Sequence, residues 1–338
     1  MSISPAAKIL VAGSLAYDHI MRYQGLFEEM ILPNMLDALS VTFTTPTQQI
    51  YFGGCGGNIA YTLKLLGGHP LLLGLAGKDF DNYGHWLTKN KIDGKGIKIL
   101  ENIYTASAFI LTDQKQHQIT IFQEGAMQAQ PDALSVTDFK EETIALAIIA
   151  PDDARRMVRL AQECFQHGIP YIFDPAQQIG NLSSEDLRTS IQNAAILVVN
   201  EYESELLMKK LKMSHDELTA LTRIYIETQG EKGCFVQTTP DRTSRPGNLL
   251  LDHLQSNEAQ TFRISAVKPK TIVDPTGCGD AFRAGVLFGL AGGFDLKKSC
   301  KIGSLAATYN LEQEGTQNHA FTGDEFQQRF EANFGEKL

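Results

Sequence analysis

Between Ile144 and Thr228 short apolar runs alternate with stretches of helical periodicity, and this alternation restricts the fold more than any other feature of the chain. Ile144 to Ala150, Tyr171 to Phe173, Ile196 to Val199 and Ile224 to Thr228 read as buried strands. Ala154 to His167, Glu185 to Gln192 and Tyr202 to Lys210 read as the helices between them, and a capping-box pattern at Ser214 and Glu217 opens another. Successive parallel strands need such crossovers. The expectation is therefore an α/β chain: a doubly wound, mostly parallel sheet flanked by helices. Lys8 to Ala12 and Pro70 to Ala76 read as further buried strands, and Cys234 to Thr238 as the start of an antiparallel edge. Asn58 to Leu66, Asp81 to Asn90 and the segments 296–312 and 322–334 read as helices.

Two stretches break this pattern. Leu39 to Thr45 and Gln49 to Phe52 alternate as exposed strands do, and Ala106 to Thr112 with His117 to Gln123 reads as a hairpin around Asp113 to Gln116. Residues of about 20–52 and 105–124 are expected to form a small β-sheet lid on one domain spanning 1–338, since no linker or internal repeat divides the chain.

A net charge of −9 argues against a nucleic-acid or anionic-membrane surface, which needs clustered Lys and Arg. Five scattered cysteines without a C-x-x-C suggest neither a disulfide framework nor a zinc site, and point to a reducing cytoplasm. The apolar run Ile9 to Ala16 is short and stops at Asp18 and His19, so it reads as a strand rather than a signal peptide, and no segment is long enough to span a bilayer.

Chemistry concentrates in a few motifs. In DPTGCGDAFRAG, Asp274 to Gly285, a turn of small residues feeds a helix from Ala281 to Leu290, and a helix start gathers free N–H groups that suit an anion. Asp280 at that junction is either an N-cap or a general base facing a hydroxyl. The run GGCGGN, Gly53 to Asn58, is either a tight turn or a close backbone approach to a ligand with the Asn58 amide beside it. It lacks both G-K-[ST] and the last glycine of G-x-G-x-x-G. Asp18 follows the first strand, where a carboxylate either caps a turn or binds vicinal hydroxyls. Asn200 and Glu203 follow the strand ILVV, where Glu203 either complements a helix dipole or supports Mg²⁺ through water. TQGEKG, Thr228 to Gly233, is either a plain turn or a phosphate-holding loop.

In this order, G-x-x-x-x-D, GG-x-x-x-N, N-x-x-E, T-x-G-x-x-G and D-P-T-G-C-G-D, the motifs resemble the PfkB/ribokinase family of carbohydrate and nucleoside kinases almost end to end. The resemblance implies a ribokinase-like fold and ATP-dependent phosphoryl transfer. Asp280 would be the base, with N–H groups of Gly277, Cys278 and Gly279 stabilising the moving phosphoryl group. Ser14, Asp18, Gly53, Gly54 and Asn58 would hold the sugar, and Phe122, with Phe109 as second candidate, would stack on a purine. ATP would lie along Asn200, Thr228, Gly230, Gly233, Ala307 and Asn310, with Mg²⁺ reached by Glu203 through water. Within the family, GSLAYDHIMRY, EGAM, DPAQQ and EGTQNH are similar to bacterial adenosine kinases of the actinobacterial type, which implies adenosine as acceptor, AMP and ADP as products, and a role in purine salvage. A sugar or sugar-phosphate kinase and a non-catalytic nucleoside-binding protein are the alternatives. Four positions depart from the pattern: Cys278 replaces Ala or Ser, GGCGGN lacks the ribokinase lysine, Thr42 replaces a lid serine and Asn181 an arginine. Open strand edges in the lid are expected to pair two copies into a homodimer.

Overall fold

The computed structural model describes residues 8–115, 117–240 and 259–338, so Gln116, the last residue of the turn expected over Asp113 to Gln116, lies outside the described residues. Thirteen strands are described: β1 (Lys8–Ala12), β2 (Ala16–Arg22), β3 (Gln48–Gly53), β4 (Pro70–Gly77), β5 (Asp93–Leu100), β6 (Ala106–Thr112), β7 (Gln118–Gln123), β8 (Ile144–Ile149), β9 (Tyr171–Phe173), β10 (Ile196–Asn200), β11 (Ile224–Thr228), β12 (Cys234–Thr238) and β13 (Gln260–Ile264). Nine of them form one sheet in the order β13-β12-β11-β10-β9-β8-β1-β4-β5, parallel from β5 to β11 and antiparallel at β12 and β13. Every residue of β4 is buried, as a strand covered on both faces requires. Alternate residues feed two cores. Ile9, Val11 and Ile148 pack on one face with Phe282 and Leu287, while Leu10, Ala147 and Phe173 pack on the other with Leu187 and Leu207. At about 1.5–3 kcal/mol for each fully buried large apolar side chain, these two layers fix the strand register.

Two edge strands escape the sequence pattern. Gly94, Gly96, Lys95 and Lys98 break up the apolar run of β5, which is tied down instead by ion pairs of Lys8 with Asp93 and of Lys95 with Glu142. β13 adds a second antiparallel strand beyond β12. Among the described residues, no helix is long and apolar enough to cross a membrane.

The remaining four strands form a separate small sheet, β3-β2-β6-β7, in which β2 and β6 run parallel and the outer pairs antiparallel. β2 begins only four residues after β1 ends and carries Asp18 within it, so Asp18 lies in a strand rather than capping a turn. No strand forms over Leu39 to Thr45. There Phe43 packs edge-on against the rings of Tyr23 and Phe27, at 5.1 and 5.3 Å between centroids, so aromatic contacts replace strand pairing.

Register decides which side chains of this sheet share a face. Tyr51, Asp18, Ala108 and Phe122 stand directly opposite one another across the four strands and so lie on one face. Ile50, His19, Phe109 and Ile121 form the next row, on the other face, with the rings of His19 and Phe109 stacked 4.6 Å apart. Phe122 therefore shares a face with Asp18. Phe109, the second stacking candidate, points away from it.

Candidate active site

The site is built where the starts of two glycine-rich helices meet. Helix Cys278–Ala291 has Gly277 as its N-cap, with φ of 79°, a left-handed conformation that suits glycine. Asp280 is the third residue of that helix, so the N-cap reading of its carboxylate does not hold. The Cys278 N–H donates to Pro275 O at 3.2 Å within the turn. Asp274 braces the loop by accepting from Thr276 N at 2.9 Å and from Gly315 N at 3.1 Å. Asn310, which is fully buried, donates to Thr276 O at 2.6 Å and contacts Cys278 Sγ at 3.6 Å. Its amide nitrogen thus supports the loop. Burial pushes the Cys278 thiol up to about 11, which removes the thiolate a redox role needs.

The second helix, Cys55–Leu65, starts two residues after Gly53. GGCGGN is thus half turn and half helix, with its second glycine pair in the first helical turn. Ser14 serves this start: its hydroxyl accepts from Cys55 N–H at 3.1 Å and its carbonyl from Gly56 N–H at 3.0 Å. A Cβ on Gly54, whose φ is 85°, would lie 2.5 Å from Ser14 O, and one on Gly53 would lie 2.3 Å from Asp18 Oδ2. Gly53 lets β3 lie close to Asp18, and Gly54 lets the chain just after β3 pass close to the Ser14 backbone. Asn58 then donates from Nδ2 to Asp280 Oδ2 at 2.8 Å, joining the two motifs.

The cleft is electrostatically loaded. Burial pushes the Asp18 carboxyl up to about 7, with repulsion from Asp280 and Asp274 adding to it. Burial also raises Asp280, against the hydrogen bond from Asn58 and the charge of Arg283. Arg283, one helical turn beyond Asp280, is buried and grips Asp174 through Nε at 2.5 Å and Nη2 at 2.7 Å, with Glu203 at 4.0 Å. Arg283 and Asp174 lie in the quoted segments DPTGCGDAFRAG and DPAQQ, but 109 positions apart, so their pairing does not show in the sequence.

On the side expected for nucleotide, Asn200 and Glu203 form a reciprocal capping box, each bond 2.8 Å long, at the start of helix Glu201–Leu211. Thr228 ends β11, its hydroxyl 3.4 Å from Val199 O. Gly233 has φ of 94°, and a Cβ there would lie 1.9 Å from Ile264 O, so this glycine is needed to turn the chain into β12. Gly230 also has positive φ, with open space where a Cβ would stand, and Ala307 is half-buried on helix Leu296–Leu311. Among the described residues, no group of three or more His, Cys, Asp or Glu could cage a metal ion.

The chain belongs to the pfkB family of carbohydrate kinases, whose sequence profile matches residues 6–322. It is accordingly an ATP-dependent phosphotransferase with a ribokinase-like fold. It is similar to the nucleoside kinase of Methanocaldococcus jannaschii, 28% identical over 96% of this chain and 97% of that one, whose crystal structure superposes with a TM-score of 0.81. The structure of a Burkholderia thailandensis nucleoside kinase in complex with inosine is 34% identical, with a TM-score of 0.83, covering 98% of this chain and all of that one. Saccharomyces cerevisiae adenosine kinase is 25% identical over 49% of this chain. The likeness to nucleoside kinases is thus the more extensive.

Proposed function

We propose that this enzyme transfers the γ-phosphoryl group of ATP to the 5′-hydroxyl of a purine ribonucleoside, with adenosine among its acceptors. The observation that carries the reading is the junction of Asn58 with Asp280 opposite Asp18. One carboxylate stands ready for a hydroxyl proton, and an amide and a second carboxylate stand where vicinal sugar hydroxyls can be held. Inosine in the Burkholderia relative supports a nucleoside over a free sugar.

Asp280 takes the 5′-hydroxyl proton, and the N–H groups of Gly277 and Gly279, with the start of helix Cys278–Ala291, stabilise charge on the moving phosphoryl group. Asp18, Gly53, Gly54 and Asn58 hold the ribose, and Phe122, about half exposed on the face of Asp18, stacks on the base. ATP lies along Asn200, Thr228, Gly230 and Ala307. Glu203 would hold, through water, a Mg²⁺ ion brought in on the phosphates, and that ion would neutralise phosphate charge. The small sheet acts as a lid that excludes water within a single domain, and its outer row of Ile50, Phe109 and Ile121 is covered by a second copy in a homodimer.

Incubation with ATP, Mg²⁺ and separately adenosine, inosine, other nucleosides, ribose and fructose 6-phosphate, followed by ADP release, tests this. Turnover is expected with the purine nucleosides. Turnover with ribose or fructose 6-phosphate alone would make it a sugar kinase, and nucleoside binding without ADP release a non-catalytic binder.

A further inference from the structure

Asn58 is 5% exposed, and its amide has two chemically opposite ends that differ little in shape. Which end meets Asp280 decides whether the carboxylate receives a hydrogen bond or faces a carbonyl. The answer lies in Thr316 and Gln317 of the EGTQNH segment, to which the resemblance assigned no role. Asn58 Oδ1 accepts from Thr316 Oγ1 at 2.7 Å and from Gln317 Nε2 at 3.1 Å. Gln317 is itself an amide, 2% exposed, and the same ambiguity would apply to it. Its Oε1, however, accepts from the Trp86 indole N–H at 3.0 Å, and an indole can only donate. Its Nε2 then also meets Tyr83 Oη at 2.6 Å, while that hydroxyl donates to Gly53 O at 2.8 Å.

We propose that Gln317 is a positioning residue for phosphoryl transfer, the middle of a one-way chain Trp86, Gln317, Asn58, Asp280 in which every donor and acceptor is forced. The inference rests on the reading of Asp280 as base and Asn58 as sugar ligand. The chain begins at an indole that only donates, which turns the Gln317 Nε2 toward Asn58 and the Asn58 Nδ2 toward Asp280, so neither amide can turn over without opposing like groups. Asn58 is thereby held with one N–H on Asp280 and its second N–H available to a sugar hydroxyl. A second observation points the same way. A Cβ on Gly57 would lie 1.9 Å from Tyr83 Oη and 2.9 Å from Gln317 Nε2, so the glycine before Asn58 makes room for this chain. Through Tyr83 the same glutamine also fixes Gly53, against which Asp18 lies.

The test compares Gln317→Met, which keeps the shape and removes both amide ends, with Gln317→Glu, whose ionised side chain cannot donate to Asn58. Each is measured with the wild type and Asp280→Asn across pH. Both variants are expected to lower kcat by about 10- to 100-fold and to move the acidic limb of kcat upward by about half a pH unit or more, while KM for ATP stays within about twofold. Trp86→Phe, which removes the donor that orients Gln317, is expected to shift the limb in the same direction by a smaller amount, and it carries the test should either glutamine variant fail to fold. A lowered melting temperature with an unmoved pH profile would make Gln317 merely structural and overturn the proposal. With Asp280→Asn inactive, that outcome would leave the phosphotransfer reading standing; turnover by Asp280→Asn would remove both.

Discussion

Asn58 Nδ2 lies 2.8 Å from Asp280 Oδ2, a hydrogen bond between the starts of two helices that are 222 positions apart in sequence. It joins the amide proposed to hold the sugar to the carboxylate proposed as the base, and it opposes the burial that raises the Asp280 carboxyl.

Asp18 is the proposed ribose contact. Replacing it with alanine is expected to raise KM for the nucleoside by at least about tenfold with little change in KM for ATP, measured by steady-state kinetics with each substrate varied in turn. An unchanged nucleoside KM would place the ribose elsewhere.

The same carboxylate opposes folding at neutral pH. Folded Asp18 titrates near 7 and an unfolded aspartate near 3.8, so the folded chain binds the proton more tightly between these values. Stability is therefore lost as pH rises through this window, and the loss is complete above 7. Asp18→Asn is expected to stabilise the ligand-free protein at pH 8 by on the order of 2 kcal/mol and to have little effect near pH 4, as denaturant melts would show. By the same titration, kcat/KM for the nucleoside falls as pH drops below about 7, because the protonated carboxyl accepts sugar hydroxyls less well.

Much of this site is legible in the sequence. The buried strands from 144 to 228 announce themselves as unbroken apolar runs, and Asp18, Asn58 and Asp280 sit in motifs whose glycines serve close approach. Polar residues hide the rest. β2 is concealed by Asp18 and His19, which interrupt its apolar run, and β5 by its glycines and lysines. Gln317 and Arg283 act through partners remote in sequence, and no periodicity marks such pairs. The Asn310 amide nitrogen and the Cys278 N–H both bond within the loop, a support that no pattern in the sequence marks.

The faces of the small sheet separate two phenylalanines. Phe122→Ala is expected to raise KM for purine nucleosides by about 5- to 50-fold, the loss of one stacked ring, whereas Phe109→Ala, on the opposite face, leaves it within about twofold. Equal effects would show that the register does not govern base contact.

Arg283 pairs with Asp174 and stands beside Glu203. Arg283→Met leaves buried carboxylates unpaired and is expected to destabilise the fold by about 3–5 kcal/mol, read from denaturant unfolding.

The most direct measurement is ADP release by wild type and Asp280→Asn with adenosine and inosine, paired with calorimetric binding of the same nucleosides. With Asp280 as the base, the variant binds nucleoside while its turnover falls by about 100-fold or more. Turnover near the wild-type rate in the variant would contradict that role.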